Sequence, residues 1–210
     1  RTEELCKIAI KSNGRALFFV PKQYITEELC RMAVQQNGHA VHDIPEQYKT
    51  EEFYKIALQQ NGYTLDYIPE AMRTEEMYKL TVQQNGSLLY KVPFSHTNNC
   101  RTEKICELAV QKDGLALQHV PEHIITKEIS RFAVQQNGWS IKYVPENLRT
   151  EELYRLAVEQ NRNSLQHVPE ELQEQMKHYI KPTIIPQEKY QQVFSEIRSC
   201  FPEKSLSLTL

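Results

Sequence analysis

The stretch TEELCRMAVQQNGHAVHDIPEQYK, Thr26 to Lys49, recurs with the same punctuation along the whole chain. Its opening threonine returns at Thr2, Thr50, Thr74, Thr102, Thr126 and Thr150, a spacing of 24 residues lengthened once, by four, between Thr74 and Thr102. All six glycines (Gly14, Gly38, Gly62, Gly86, Gly114, Gly138) share one column, and Pro21, Pro45, Pro69, Pro93, Pro121, Pro145 and Pro169 share another.

Each repeat opens with a hydroxyl in the N-cap position and acidic residues in the first turn, here Thr26, Glu27 and Glu28. The hydroxyl accepts an otherwise orphaned N–H and the carboxylates face the positive end of the helix dipole. The helix is expected to run to Asn37-Gly38, where glycine would enter the left-handed conformation that ends a helix without a Cβ clash. At a helical period, Leu29, Cys30, Met32, Ala33 and Val34 form a wide apolar arc. A second, shorter segment of one or two α or 3₁₀ turns follows, with Ala40, Val41 and Ile44 inward, and Pro45 stops it. Such a unit cannot enclose a core alone, so successive repeats must stack. The expected fold is all-α, an α-solenoid of seven helix–turn–short-helix repeats over residues 1–169. Residues 170–200 are expected to form capping helices, and residues 201–210, FPEKSLSLTL, a flexible tail.

The chain has 210 residues and a formal net charge of −2, which gives no general attraction for nucleic acid or anionic lipid. No apolar run approaches the length of a membrane span. Five cysteines without a CxxC pair argue against a disulfide framework or a zinc site and for a reducing, cytosol-like compartment. Cys6, Cys30 and Cys106 share a column with Tyr54, Tyr78 and Tyr154, as packing residues would. The first residue is not methionine and sits at a repeat boundary, as in a fragment of a longer protein.

Glu3–Lys7, Glu27–Arg31, Glu51–Lys55, Glu75–Lys79 and Glu151–Arg155 are i,i+4 pairs in the favourable order. Glu103 with Glu107, and Lys127 with Arg131, break the rule and leave like charges to be matched between neighbouring repeats. Gln36, Asn37 and their equivalents form either a polar ladder along the stack or caps for helix carbonyls. The extra residues, Phe94 to Cys100, are a decoration or kink, or else a functional graft.

Function is sought where repeats diverge without needing to. Three outward columns of the short segment read Arg15, Phe18, Phe19; His39, His42, Asp43; Tyr63, Asp66, Tyr67; Ser87, Tyr90, Lys91; Leu115, Gln118, His119; Trp139, Lys142, Tyr143; Asn163, Gln166, His167. They are rich in aromatic rings and histidines, the composition of a protein-recognition surface. The partner-binding candidates are Phe18, His39, His42, Tyr63, Tyr67, Tyr90, Trp139 and Tyr143. The competing reading is that the third column, Phe19 to His167, packs between repeats. Base stacking is a weaker use, because Arg15, Lys91 and Lys142 are set against Asp43 and Asp66, too little positive charge for nucleic acid.

Catalysis finds little footing. Every glycine is already spent on the repeat, leaving no phosphate-cradling loop. His39, His42 and Asp43 read as a solvated edge more readily than as metal ligands, and His96 with Cys100 lacks a third group to orient a nucleophile pair. No cofactor, metal or catalytic residue is expected.

The pattern T-E-E-L-C-x-x-A-V-Q-Q-N-G-x-A-x-x-x-[VI]-P-E, written out at residues 26–46 and repeated through residue 170, resembles a family of tandem repeats of unknown function found in secreted effectors of intracellular bacterial pathogens and in amoeba-associated genomes. The resemblance departs at Asn161 to Asn163 and after Pro93. It implies a protein delivered into the host-cell cytosol, with a host protein or another effector as partner, and the Ser-, Thr- and Leu-rich run Glu203 to Leu210 is similar to a type IV secretion signal. The expected function is a non-catalytic protein-binding scaffold. The alternative is a targeting or regulatory array for a catalytic domain outside this chain.

Overall fold

The computed structural model describes residues 2–94 and 99–180. Among them run eight α-helices: α1 (Thr2–Ser12), α2 (Glu27–Gln36), α3 (Glu51–Gln60), α4 (Glu75–Gln84), α5 (Glu103–Lys112), α6 (Lys127–Gln136), α7 (Glu151–Gln160) and α8 (Glu170–Lys177). Helices α1 to α7 are each followed by a 3₁₀ segment: Gly14–Phe19, Gly38–His42, Gly62–Tyr67, Gly86–Lys91, Gly114–His119, Gly138–Tyr143 and Arg162–His167. A further 3₁₀ turn after the proline, such as Glu46–Tyr48, leads into the next helix in five of the repeats.

Four members of the threonine column cap as their chemistry dictates, while Thr50 and Thr102 make no side-chain cap bond. Thr26, Thr74, Thr126 and Thr150 accept from the backbone N–H three residues on, at 3.2–3.4 Å. Such a cap contributes about 1 kcal/mol. The exit from the helix differs from the expectation. No glycine has positive φ; Asn37 instead leaves the helix in extended geometry, φ −147° and ψ 111°. Its side-chain oxygen then accepts from the His39 N–H at 3.0 Å, so it starts the 3₁₀ segment and does not cap a carbonyl. Asn13, Asn61, Asn85, Asp113, Asn137 and Asn161 do the same two residues ahead. Only an acceptor is needed, which is why Asp113 replaces asparagine without cost.

The glycine column has another cause. A Cβ on Gly38 would lie 2.6 Å from the Ala57 carbonyl oxygen in the next repeat, and one on Gly86 would lie 2.1 Å from that of Ala109. Backbone from adjacent repeats meets here, so the column records close approach and not a left-handed turn. At the last interface the demand ends, and Arg162 takes the position.

Each of α2 to α7 packs against the neighbouring α-helices and against the 3₁₀ segments of its own and the preceding repeat. One apolar cluster runs unbroken from Ile10 to Met176, with Cys30, Tyr54, Tyr78, Cys106 and Tyr154 buried in a single column. The architecture is an all-α solenoid of tandem repeats. Cross-repeat bonds reinforce it: Gln36 accepts from the Gly14 N–H at 2.5 Å, and Gln136 donates to the Gln111 carbonyl at 2.5 Å. Gln36 and Gln136 thus bridge repeats as the polar-ladder reading has it, whereas the asparagine side chain starts the next 3₁₀ segment and caps no helix carbonyl.

Ion pairs follow the i,i+4 rule at Glu3–Lys7, Glu27–Arg31, Glu51–Lys55 and Glu75–Lys79, whereas Arg155 turns to Glu159. Lys7–Glu28, Arg31–Glu52 and Arg131–Glu152 join one repeat to the next. The insertion does not kink the stack out of contact, since α4 still packs on α5. Phe94 and Asn99 form a lone antiparallel bridge that closes it, while His96 lies outside the described residues. At the other end Met176 of α8 is buried on α7, and Tyr179 is exposed beneath the Arg155 guanidinium. The expected second capping helix and the tail fall outside the described residues.

Candidate partner-binding ridge

The 3₁₀ segments decide which side chains reach solvent. At three residues per turn, positions three apart eclipse one another. Gly38, Val41 and Ile44 therefore share one face, Ala40 and Asp43 a second, and His39 and His42 the third. An α-helical reading places Asp43 about 40° from His39; the 3₁₀ geometry moves it behind Ala40, toward the neighbouring repeat. The carboxylate of Asp43 is accordingly buried, with a side-chain exposure of 5%, and is held by His42 Nδ1 at 2.9 Å. Asp43 is thus not the outward group that the sequence pattern implied.

The third column acts as a lock between repeats. Tyr67 fits against His39 and His42 of the repeat before it, with ring centroids 5.8 and 5.4 Å apart. Asn61 donates to His39 Nε2 at 2.9 Å, which leaves the proton on Nδ1, facing the Tyr67 oxygen at 3.3 Å. Lys91 reaches back to both Asp66 oxygens at 2.7 Å and lies between the rings of Tyr63 and Tyr90. His119 meets Tyr90, Tyr143 donates to Gln118 at 3.2 Å, and His167 stands edge-on to Trp139. Lys142 covers the rings of Trp139 and Tyr143 from 5.5 and 4.6 Å.

The eight candidates therefore divide. Phe18, His42, Tyr63, Tyr67 and Tyr90 are exposed; His39, Trp139 and Tyr143 are half-buried by these locks. Together they form one ridge along the 3₁₀ row, interrupted by Leu115, Gln118 and Asn163. Burial pushes the His119 and His167 imidazoles below the ordinary histidine range, with Arg101 adding to the effect at His119 and Lys142 at His167.

A column that the sequence reading passed over ties the ridge to the next helix. Arg73, Arg101 and Arg149, each just before a threonine, donate through Nε to the carbonyls of Ile68, Val92 and Val144 at 2.7–2.9 Å. Arg101 also reaches the carbonyls of His119 and Tyr90. The recurrence of arginine there was the available signal; the target carbonyls were not visible without the fold.

Cys30 and Cys106 are fully buried packing residues, and the pairing of His96 with Cys100 lies outside the described residues. Burial pushes the Cys30 and Cys106 thiols up to about 11. Among the described residues no three His, Cys, Asp or Glu side chains converge as metal ligands, and no helix is long and apolar enough to cross a membrane.

No curated protein and no solved structure matches the chain. A family model of tandem repeats, described as Domain of unknown function (DUF4116), matches residues 26–73, 102–149 and 126–173, more than half of the chain. Each match spans two repeats, the last two sharing residues 126–149, and the protein belongs to that family.

Proposed function

We propose that the protein is a non-catalytic repeat scaffold that binds a protein partner along its 3₁₀ ridge. One observation carries the reading. Within the same short segments, one face is uniform and buried and a second is taken up by locks between repeats, whereas the third is diverse, aromatic and open to solvent at Phe18, Tyr63 and Tyr90. Exposed aromatics held on a rigid scaffold supply contact area at little entropic cost, which is how protein interfaces concentrate binding energy. The repeat signature's likeness to secreted effectors makes a host protein or another effector the partner, met in a host cytosol. Nucleic acid is a poorer fit, since Asp66 neutralises Lys91 and Lys142 is turned onto Trp139 and Tyr143.

The test is affinity capture from host-cell lysate with the intact chain beside a Phe18→Ala, Tyr63→Ala, Tyr90→Ala variant. A protein held by the parent and lost with an equally stable variant supports the ridge. Equal capture by both, or none by either, overturns it.

A further inference from the structure

The seven repeats provide an internal control for what each surface is built to touch. In α2 to α7 the positions equivalent to Leu5, namely Leu29, Phe53, Met77, Ile105, Ile129 and Leu153, are at most 7% exposed, covered by the preceding repeat; Leu5 is 64% exposed. Ala9 is exposed, whereas Ala33, Ala57, Ala109, Ala133 and Ala157 are fully buried. Ile8 is 59% exposed; of its equivalents only Phe132 stays open, and Met32, Ile56, Leu80, Leu108 and Leu156 are half-covered. Phe19 stands in the locking column but is 82% exposed, twice the 40% of Tyr67. Leu5, Ile8, Ala9 and Phe19 are thus the apolar side chains of α1 and its 3₁₀ segment that stacking covers, wholly or in part, elsewhere and leaves open here.

We infer that this face is a docking site for one further helix–3₁₀ repeat of this same kind. The six interfaces already present specify what that repeat brings. It places a glycine against the Ala9 carbonyl, as Gly14 does against Ala33 and Gly38 against Ala57. It sets a cation opposite Glu4, as Lys7 faces Glu28 and Arg31 faces Glu52. Its exposed 3₁₀ positions form the notch that receives Phe19, as His39 and His42 receive Tyr67. A second copy of this chain offers no such surface at its far end, where α8 covers α7 and Met176 is buried.

The experiment adds the repeat. Thr26 to Lys49, which carries Gly38, Arg31, His39 and His42, is fused directly before Thr2 of the full chain, reproducing the natural Lys49–threonine junction. The extended protein should melt several degrees higher, and the α1 amides should exchange at least about tenfold more slowly. Leu5→Glu should leave the original chain's melting temperature unchanged and cancel the gain in the extended one. A Gly38→Val change confined to the added copy should cancel it too. An extended chain with unaltered α1 exchange overturns the inference. So does an original chain that is already dimeric by light scattering and made monomeric by Leu5→Glu, because a second copy would then own the face.

Discussion

The buried and the exposed sides of the 3₁₀ row are built from the same short segments, yet they vary in opposite ways. On the buried side Gly14, Gly38, Gly62, Gly86, Gly114 and Gly138 meet carbonyls of the next repeat, and Leu17, Val41, Leu65, Leu89, Leu117 and Ile141 fill the core. On the exposed side the positions of Arg15 and Phe18 become histidine, tyrosine, tryptophan, leucine, serine, asparagine, aspartate, lysine or glutamine. Between the two lies the locking column, neither uniform nor free. Stacking constrains shape most where backbone meets backbone, as at the glycines, and least where no neighbour arrives. The difference marks which residues hold the rod together and which remain to meet something else.

The sharpest way to break that comparison is to enlarge the uniform side. Gly86→Ala drives a methyl against the Ala109 carbonyl and the Asp113 N–H, both of them backbone and unable to yield cheaply. The expected loss is about 3 kcal/mol in urea unfolding, at the upper end of overpacking effects. Arg101→Ala removes charged donors from the carbonyls of Val92, His119 and Tyr90 and should cost about 2–3 kcal/mol. Arg101→Lys should recover little, because one ammonium cannot reproduce the guanidinium fork.

Smaller effects sharpen the boundary. Asn137→Ala deletes the acceptor that starts its 3₁₀ segment and should cost about 1 kcal/mol. Asn137→Asp should be close to neutral, as Asp113 already fills that role. The locking column should confer a pH dependence. His119 and His167 have depressed pKa values in the fold, so the unfolded chain takes up their protons first as pH falls. Their contribution is complete above the ordinary histidine value of about 6.5 and is lost as pH drops through the lowered folded values. The urea midpoint should therefore decline from pH 7.5 to pH 5 more steeply in the parent than in a His119→Gln, His167→Gln variant. Equal slopes would show that these rings are not held neutral.

Much of the fold was legible because it is written repeatedly. Threonine and asparagine mark where each repeat's helix starts and stops, with a threonine cap bond at four of them, and the Cys30/Tyr54 column followed from an apolar arc that no single repeat could bury. The glycine column was visible but misread: its cause is a contact 19 residues away in sequence, between Gly38 and Ala57, and local conformation carries no trace of it. The outward columns were legible in outline, and the third packs between repeats, as the competing reading has it. Six residues are too few to distinguish a period of 3.0 from one of 3.6, and that difference sends Asp43 inward and leaves His42 outside. The arginine ties and the Lys91–Asp66 pair depend on reach across a turn or a repeat, which spacing alone does not encode.

The division of labour is tested most directly by urea unfolding of the Phe18→Ala, Tyr63→Ala, Tyr90→Ala variant. Each ring is about half exposed or more, and surface substitutions cost about 0.5 kcal/mol or less apiece, so the triple variant should stay within about 1.5 kcal/mol of the parent. A loss equal to that of Gly86→Ala would mean that the diverse face is core, and the ridge would have no surface left to offer a partner.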